Sequence, residues 1–105
     1  MTHCGTPCWT APEILRGETY DEKVDIYSFG IVMWEILTGL RPYSGCNFMQ
    51  VSLDVLDGTR PQIPNDCPTE YKKLMKKCWD TDPKKRPSAQ DIIIKLSGLI
   101  GNSHV

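Results

Sequence analysis

Cysteine and histidine are the side chains of this sequence that could bind a metal ion or form disulfides. The five cysteines stand at positions 4, 8, 46, 67 and 78, and the two histidines are His3 and His104. No C-x-x-C pair occurs, and no spacing matches the ligand sets of structural zinc sites, so we predict no metal site. We expect reduced thiols, as in an intracellular protein, and a redox pair of Cys4 and Cys8 is the alternative.

Four lysines form the densest group of like charges. Lys72, Lys73, Lys76 and Lys77 fall within one predicted helix. They could bind an acidic partner, but the pattern favours a solvated helix face. The chain as a whole has 12 Lys and Arg against 13 Asp and Glu, a net charge of -1. This balance argues against a general nucleic-acid binder, which usually carries a strong basic excess.

The length and composition predict one small soluble domain. The chain has 105 residues, of which 40% are hydrophobic and 24% charged, as in a globular protein. Its first residues contain no charged and apolar segments of a secretory signal. The longest apolar stretch, residues 24–37, is interrupted by polar residues and is shorter than the roughly 20 residues needed to span a bilayer. We therefore expect a cytoplasmic protein.

Proline and glycine divide the chain into helical blocks, which we predict at residues 23–38, 47–57, 68–79 and 88–100. The first of these is apolar nearly all round, which predicts a buried central helix. Gly39 fits the position just after its end, and Pro42 prevents continuation.

The later helices are amphipathic. Tyr71, Leu74, Met75 and Cys78 recur at i, i+3, i+4 and i+7, which predicts one buried stripe. Ser88 is a candidate N-cap, with an acidic residue three positions later. No segment alternates like a strand. The fold class is therefore all-α, with about four to five helices around one buried central helix.

Three motifs carry a resemblance to protein kinases. Residues 5–13, Gly-Thr-Pro-Cys-Trp-Thr-Ala-Pro-Glu, resemble the end of a kinase activation segment with its A-P-E motif. Residues 25–39 resemble the long central helix of the kinase C-lobe, and residues 78–87 resemble the stretch before its final helix. The chain is thus similar to the C-terminal lobe of a protein kinase domain over essentially its whole length, with residues 1–13 as the activation-segment end. The mixture of features resembles the tyrosine-kinase-like group of Ser/Thr kinases.

This resemblance implies a substrate-binding loop made of Thr6, Pro7, Cys8, Trp9 and Thr10. In an assembled kinase, Thr6 would lie near the catalytic aspartate and the peptide substrate; the alternative is an ordinary turn residue. The rest of the loop would receive the substrate residue after the phosphoacceptor. Glu35 could face basic residues of a substrate, or it could be structural.

The resemblance also implies structural positions at Ala11, Pro12, Glu13, Asp25, Gly30, Val32, Ile36, Trp79 and Arg86. Glu13 and Arg86 would form a buried ion pair; the alternative is two exposed charges. Asp25 would accept hydrogen bonds from the backbone of the catalytic loop. Val32 and Ile36 would be core residues that anchor a hydrophobic column beneath the nucleotide.

Phosphoryl transfer needs parts that these 105 residues lack. The chain contains no G-x-G-x-x-G, no V-A-I-K lysine, no H-R-D-x-x-x-x-N and no D-F-G, the motifs that hold nucleotide and metal and engage the substrate hydroxyl. The sequence therefore predicts no catalytic residue, no bound cofactor and no kinase activity for this chain alone. ATP and Mg²⁺ would act in an intact parent kinase. Its partners would be a protein or peptide substrate and the missing N-lobe and catalytic loop, with no nucleic acid or membrane. The alternative is a stand-alone, non-catalytic binding module that docks partners through the third helix.

Overall fold

The computed structural model describes residues 8–43, 45 and 47–103, with side chains as far as Leu99. In chain order the elements are α1 (Pro12–Leu15), α2 (Lys23–Thr38), α3 (Phe48–Leu56), α4 (Thr69–Cys78), a 3₁₀ turn (Pro83–Lys85) and α5 (Ala89–Ser103). Within these described ranges no strand occurs, so the all-α prediction is confirmed. None of the helices described is long and apolar enough to cross a membrane.

The helix starts differ from the predicted ones in a regular way. α2 has the predicted bounds, whereas α3, α4 and α5 each begin one residue later than predicted. Asn47 and Pro68 stand at the N-cap instead, and Ser88 is the N-cap that the sequence predicts. Asn47 accepts a hydrogen bond from the Gln50 amide at 2.9 Å, and Ser88 accepts one from the Asp91 amide at 3.1 Å. These side chains satisfy amide groups that have no partner within the helix.

The end of α2 follows from one glycine. Gly39 has a φ of 71°, in the left-handed region, and its amide donates to the Glu35 carbonyl at 2.8 Å. A residue with a side chain adopts this conformation at a cost, so glycine is the usual choice there.

The core lies where α2 packs against α4. Its α2 side consists of Ile26, Tyr27, Ile31, Met33 and Trp34, and its α4 side of Leu74, Met75 and Cys78. Gly30 sits at the closest approach, because a Cβ placed on it would lie 2.9 Å from the Cys78 Cβ. The absent side chain lets the two helices approach until their backbones nearly touch.

One face of α2 is not buried, which corrects the expectation that Val32 and Ile36 are core residues. Both are exposed, Ile36 to 73%. The described helices cover only the side of α2 that carries the core residues. An apolar helix can show an all-round hydrophobic pattern and still be covered on one side, because covering depends on which other elements are present.

The remaining helices complete the core at its edges. α3 contributes Val51 and Val55, both fully buried, and α5 contributes Ile92. The predicted stripe of α4 is confirmed, and the Tyr71 hydroxyl donates to the Met33 carbonyl of α2 at 2.8 Å. These contacts hold α3, α4 and α5 in fixed positions about α2.

Candidate functional site

The loop before α1 is fastened to α2 by two hydrogen bonds. The Trp9 indole N–H donates to Glu35 Oε1 at 2.8 Å, and the Ser28 hydroxyl donates to the Trp9 carbonyl at 2.6 Å. Both partners are part-buried, so each bond is shielded from water and holds the loop firmly. Glu35 therefore has a structural role toward Trp9.

A shallow groove opens beside this fastened loop. It is lined by Trp9, Glu35, Gly39, Leu40 and Arg41. Trp9 is half-buried, while Leu40 and Arg41 are exposed. The groove thus combines an aromatic ring, an aliphatic side chain and one charge of each sign, a set suited to an extended peptide with mixed chemistry.

Of the predicted substrate loop, only part falls within the described structure. Thr6 and Pro7 lie outside the described residues. Cys8 is buried and Thr10 is half-buried. Among the described residues of this loop, Trp9 lines the groove.

The cysteines that the structure describes differ in whether they are free or disulfide-bonded. Cys67 and Cys78 are free thiols, as expected, and burial raises the pKa of the Cys78 thiol to about 12. Such a thiol is not ionised at neutral pH and is no nucleophile. Cys8 is disulfide-bonded, which corrects the expectation of reduced thiols for that position. Among the residues described, no three Asp, Glu, Cys or His side chains lie together as metal ligands.

Glu13 and Arg86 form the predicted ion pair, and it is buried and bidentate. Arg86 Nη1 lies 2.7 Å from Glu13 Oε2, and Nη2 lies 2.9 Å from Oε1. The exposed fraction is 0% for the arginine side chain and 4% for the glutamate. The alternative of two exposed charges is therefore wrong. The pair joins α1 to the turn before α5, 73 positions apart.

Arg86 also binds the backbone on two other sides. Its Nε donates to the Asp80 carbonyl and its Nη1 to the Lys23 carbonyl, each at 2.9 Å. In return, Lys23 Nζ donates to the Arg86 carbonyl at 2.7 Å. One guanidinium thus fixes the start of α2, the end of the α4 segment and α1 together.

The ion pair sets the protonation state of Glu13. Burial by itself would raise the pKa of this carboxyl, but the hydrogen bonds from Arg86 and the backbone, with the charges of Arg86 and Arg16, outweigh burial and lower the pKa below 4.5. A carboxyl with a lowered pKa in the folded state adds stability above its unfolded pKa, and this stability is lost as the pH falls through the folded value.

We therefore expect Glu13→Gln to change the acid dependence of stability. The difference in the free energy of unfolding between the native chain and Glu13→Gln should be largest near neutral pH and should shrink below about pH 4.5, since the other carboxyls titrate alike in both proteins. Urea titrations at a series of pH values measure it. A difference that stays constant from about pH 7 to about pH 3 would contradict the assignment of this lowered pKa to Glu13.

Arg60 lies over the same tyrosine ring as Arg86, and no sequence motif indicated its role. Its guanidinium donates to the Trp79 carbonyl at 2.9 Å and the Val55 carbonyl at 3.1 Å, near the carboxyl ends of α4 and α3. It lies over the Tyr27 ring at 5.0 Å, and Arg86 lies over the same ring at 5.2 Å. The only sequence signal was an arginine placed just before Pro61, between two helices. Cations near helix carboxyl ends are favourable, and both guanidiniums add cation–π attraction to the tyrosine.

The other predicted positions divide into buried and exposed ones. Ala11, Pro12, Gly30 and Trp79 are buried, where they support the loop and the α2–α4 contact. Asp25 is exposed at the start of α2, so its predicted hydrogen bonds to a catalytic loop stay a prediction.

The helical fold, the loop that contains Trp9 and the buried Glu13–Arg86 ion pair together indicate the protein family. The chain matches the family of protein tyrosine and serine/threonine kinases over residues 2–96, and it belongs to that family. It is 65% identical over 101 residues to a serine/threonine-protein kinase/receptor of Acanthamoeba polyphaga mimivirus, which covers 96% of this chain. It is 50% identical over 99 residues, or 94% of this chain, to drkD of Dictyostelium discoideum, named as a serine/threonine-protein kinase. The chain spans 6% of the length of the viral relative and 8% of drkD.

Proposed function

We propose that this chain is the helical C-terminal lobe part of a protein serine/threonine kinase and that it supplies the docking site for the peptide substrate. The kinase family and the names of its relatives support the reaction class, which is phosphoryl transfer from ATP to protein serine or threonine. The observation that carries the docking role is the Trp9 loop. It is held on α2 by Ser28 and Glu35 and borders an open groove.

The groove is suited to docking because the loop beside it is already held in place before a peptide binds. Trp9 is fixed through both its indole N–H and its carbonyl, so binding a peptide requires little further ordering of the loop. Leu40 offers an apolar contact, and Arg41 offers a charge for an acidic residue of the peptide. The Glu13–Arg86 pair then fastens the end of the loop to the last helices, so the docking surface and the helical scaffold form one unit.

The chain depends on other parts for the reaction itself. In an intact parent kinase, ATP and Mg²⁺ would be held by the phosphate-binding loop and the metal-binding motifs, none of which occurs in these residues. The partners that we propose are a protein or peptide substrate and the ATP-binding lobe with its catalytic loop. The location that we propose is the cytoplasm, where ATP-dependent signalling kinases act.

A chimera tests the proposed docking role. This chain replaces the matching 99 residues of drkD, and phosphorylation of a peptide substrate is measured beside that of the 105-residue chain. We expect activity from the chimera and none from the chain, because only the chimera contains the nucleotide and metal motifs. In the chimera, Leu40→Ser should raise the KM for the peptide about threefold to tenfold and leave the KM for ATP unchanged, since it removes one apolar contact with the bound peptide.

Leu53→Ser is the matched control for this experiment. Leu53 on α3 is 57% exposed and Leu40 is 62% exposed, but Leu53 does not line the groove. It should therefore leave the peptide KM within about twofold of the parent chimera. Equal effects of the two substitutions, or a change in the ATP KM with Leu40→Ser, would contradict docking at this groove.

A second candidate function rests on α3. Phe48, Met49 and Leu53 are all exposed on this short helix, and clusters of exposed apolar side chains mark interaction sites more often than chance. A non-catalytic binding module would use this surface. In that case Leu53→Ser, and not Leu40→Ser, would abolish co-purification of a partner with the chain. Phosphorylation by the chimera would then depend on neither residue.

A further inference from the structure

A groove runs between α4, α5 and the turn that precedes α5. One wall consists of Glu70, Lys73, Leu74 and Lys77, which share one face of α4. The opposite wall includes Asp91, Ile94 and Lys95, which share one face of α5. The groove has a volume of about 390 Å³, within the range of about 300–1,000 Å³ found for ligand pockets. It is a concavity between α4 and α5, and Leu74 contributes both to its lining and to the core.

The groove has a basic rim. Lys73, Lys77, Lys85 and Lys95 line it from three elements, against two carboxylates, Glu70 and Asp91. Arg86 also lines the groove, but Glu13 neutralises its charge. The four lysines therefore leave two positive charges in excess here, although the chain as a whole carries a net charge of -1. Lys73 lies 3.7 Å from Glu70 in an exposed pair, and exposed pairs are weak. In the part of the chain that the structure describes, no ion pair joins Lys77, Lys85 or Lys95 to a carboxylate.

The groove also has an apolar floor. Leu74 is buried, Pro87 is part of the lining, and Ile94 remains 60% exposed. A second depression continues past Ile94 and Lys95 to Gly98 and Leu99. From Asp91 to Leu99 the α5 wall extends about 12 Å, two turns of a helix. At Gly98 nothing lies within 4 Å of the position of a Cβ, so this end of the wall is open.

We propose that this groove docks an acidic amphipathic segment of another protein. The apolar side of such a segment would lie on Leu74 and Ile94, and its carboxylates would meet the lysines on both walls. Shape and charge favour this occupant: the α5 wall is two helical turns long, Leu74 and Ile94 supply apolar lining, and lysines on opposite sides can contact acidic residues of the segment. The concave shape disfavours a flat anionic membrane, which cannot enter a groove between two helices. The inference does not depend on the proposed kinase role.

The lysines of α4 provide the first test. Lys73 and Lys77 line this groove, whereas Lys72 and Lys76 on the same helix line a different depression. The probe is a fluorescein-labelled helical peptide with two leucines one turn apart, flanked by glutamates. Its fluorescence anisotropy is titrated with the 105-residue chain. We expect micromolar binding that weakens with added salt, and at least about tenfold weaker binding after K73E/K77E but less than about threefold after K72E/K76E.

The isoleucines of α5 provide the second test. Ile94 lines the groove and Ile93 does not, although they are neighbours with exposed fractions of 60% and 59%. Ile94→Ser should weaken peptide binding about tenfold, the loss of one buried apolar anchor, and Ile93→Ser should change it less than about twofold. Both side chains are exposed, so circular dichroism should show the same helical content in both variants.

Three results would overturn the proposal. The first is equal loss in the two lysine pairs, which would indicate attraction to the charge of α4 in general. The second is equal binding of the same peptide with glutamine in place of glutamate, which would exclude charge recognition. The third is sedimentation of the chain with phosphatidylserine vesicles, lost in K73E/K77E, without peptide binding; it would assign the surface to a membrane instead.

Discussion

Arg86→Met should lower the free energy of unfolding of the chain by about 3–5 kcal/mol, because it leaves Glu13 as a buried charge without its partner. Both groups are almost fully removed from solvent, and their two hydrogen bonds measure 2.7 and 2.9 Å. The substitution also removes the donors to the carbonyls of Asp80 and Lys23. The buried pair itself adds little net stability beyond an apolar pair of the same size, so the expected loss comes from the unpaired charge.

Urea denaturation followed by circular dichroism measures this loss. Arg16→Met is the control, because Arg16 pairs with Glu18 at 3.2 Å on the exposed surface and such pairs contribute about 1 kcal/mol or less. The double variant Glu13→Gln/Arg86→Met should recover part of the stability, since no buried charge remains. If the native chain has less stability than the expected loss, Arg86→Met will show no cooperative transition. A loss no larger than that of Arg16→Met would contradict the structural role of the pair.

Gly30→Ala should lower the free energy of unfolding by about 1–3 kcal/mol, the usual cost of an extra methyl group in a packed core. The new Cβ would stand 2.9 Å from the Cys78 Cβ and 3.3 Å from both the Met75 carbonyl oxygen and the Trp79 amide nitrogen. Two of these neighbours belong to the backbone near the end of α4, so rotating a side chain cannot relieve the contact. α4 must move away from α2, which loosens the centre of the core.

Gly98→Ala is the matched control and should have the opposite sign. Gly98 lies within α5, and nothing stands within 4 Å of its Cβ position. Alanine is favoured over glycine in a helix by about 0.5–1 kcal/mol, so this substitution should stabilise the chain. Urea denaturation of both variants compares the two effects. Equal signs would show that helix propensity, and not the close approach of α2 and α4, decides the effect at position 30.

Local rules in the sequence predicted the helices well. Proline and capping residues mark where α3, α4 and α5 begin, and Gly39 marks where α2 ends; these signals act over a few neighbouring residues. The one-residue shift at Asn47, Pro68 and Ser88 arises because an N-cap residue stands just outside the helix that it starts. The stripe on α4 was equally readable, since residues at i, i+3, i+4 and i+7 share one helix face whatever the rest of the fold does.

The candidate site was predictable only in part. The order of the motifs predicted the loop that ends at Glu13 and the pairing of Glu13 with Arg86. The role of Arg60 could not be predicted from the sequence, because its partners lie at the ends of two different helices. The exposure of Val32 and Ile36 could not be predicted either. The apolar residues of a helix indicate which faces can be buried, but not which other elements are present to cover them.

By itself, the sequence determined that the chain is helical, where its helices start to within one residue, and which kinase motifs it carries, because these properties depend on residue types and short spacings. Only the tertiary structure decided which face of α2 is covered, how Trp9 is fastened beside a groove, and that the lysines of α4 divide between two surfaces. Lys73 and Lys77 line the same groove as Lys85, Lys95 and the apolar Leu74 and Ile94, whereas Lys72 and Lys76 line a different depression. These properties depend on distances between residues far apart in the chain, which packing sets and local pattern does not.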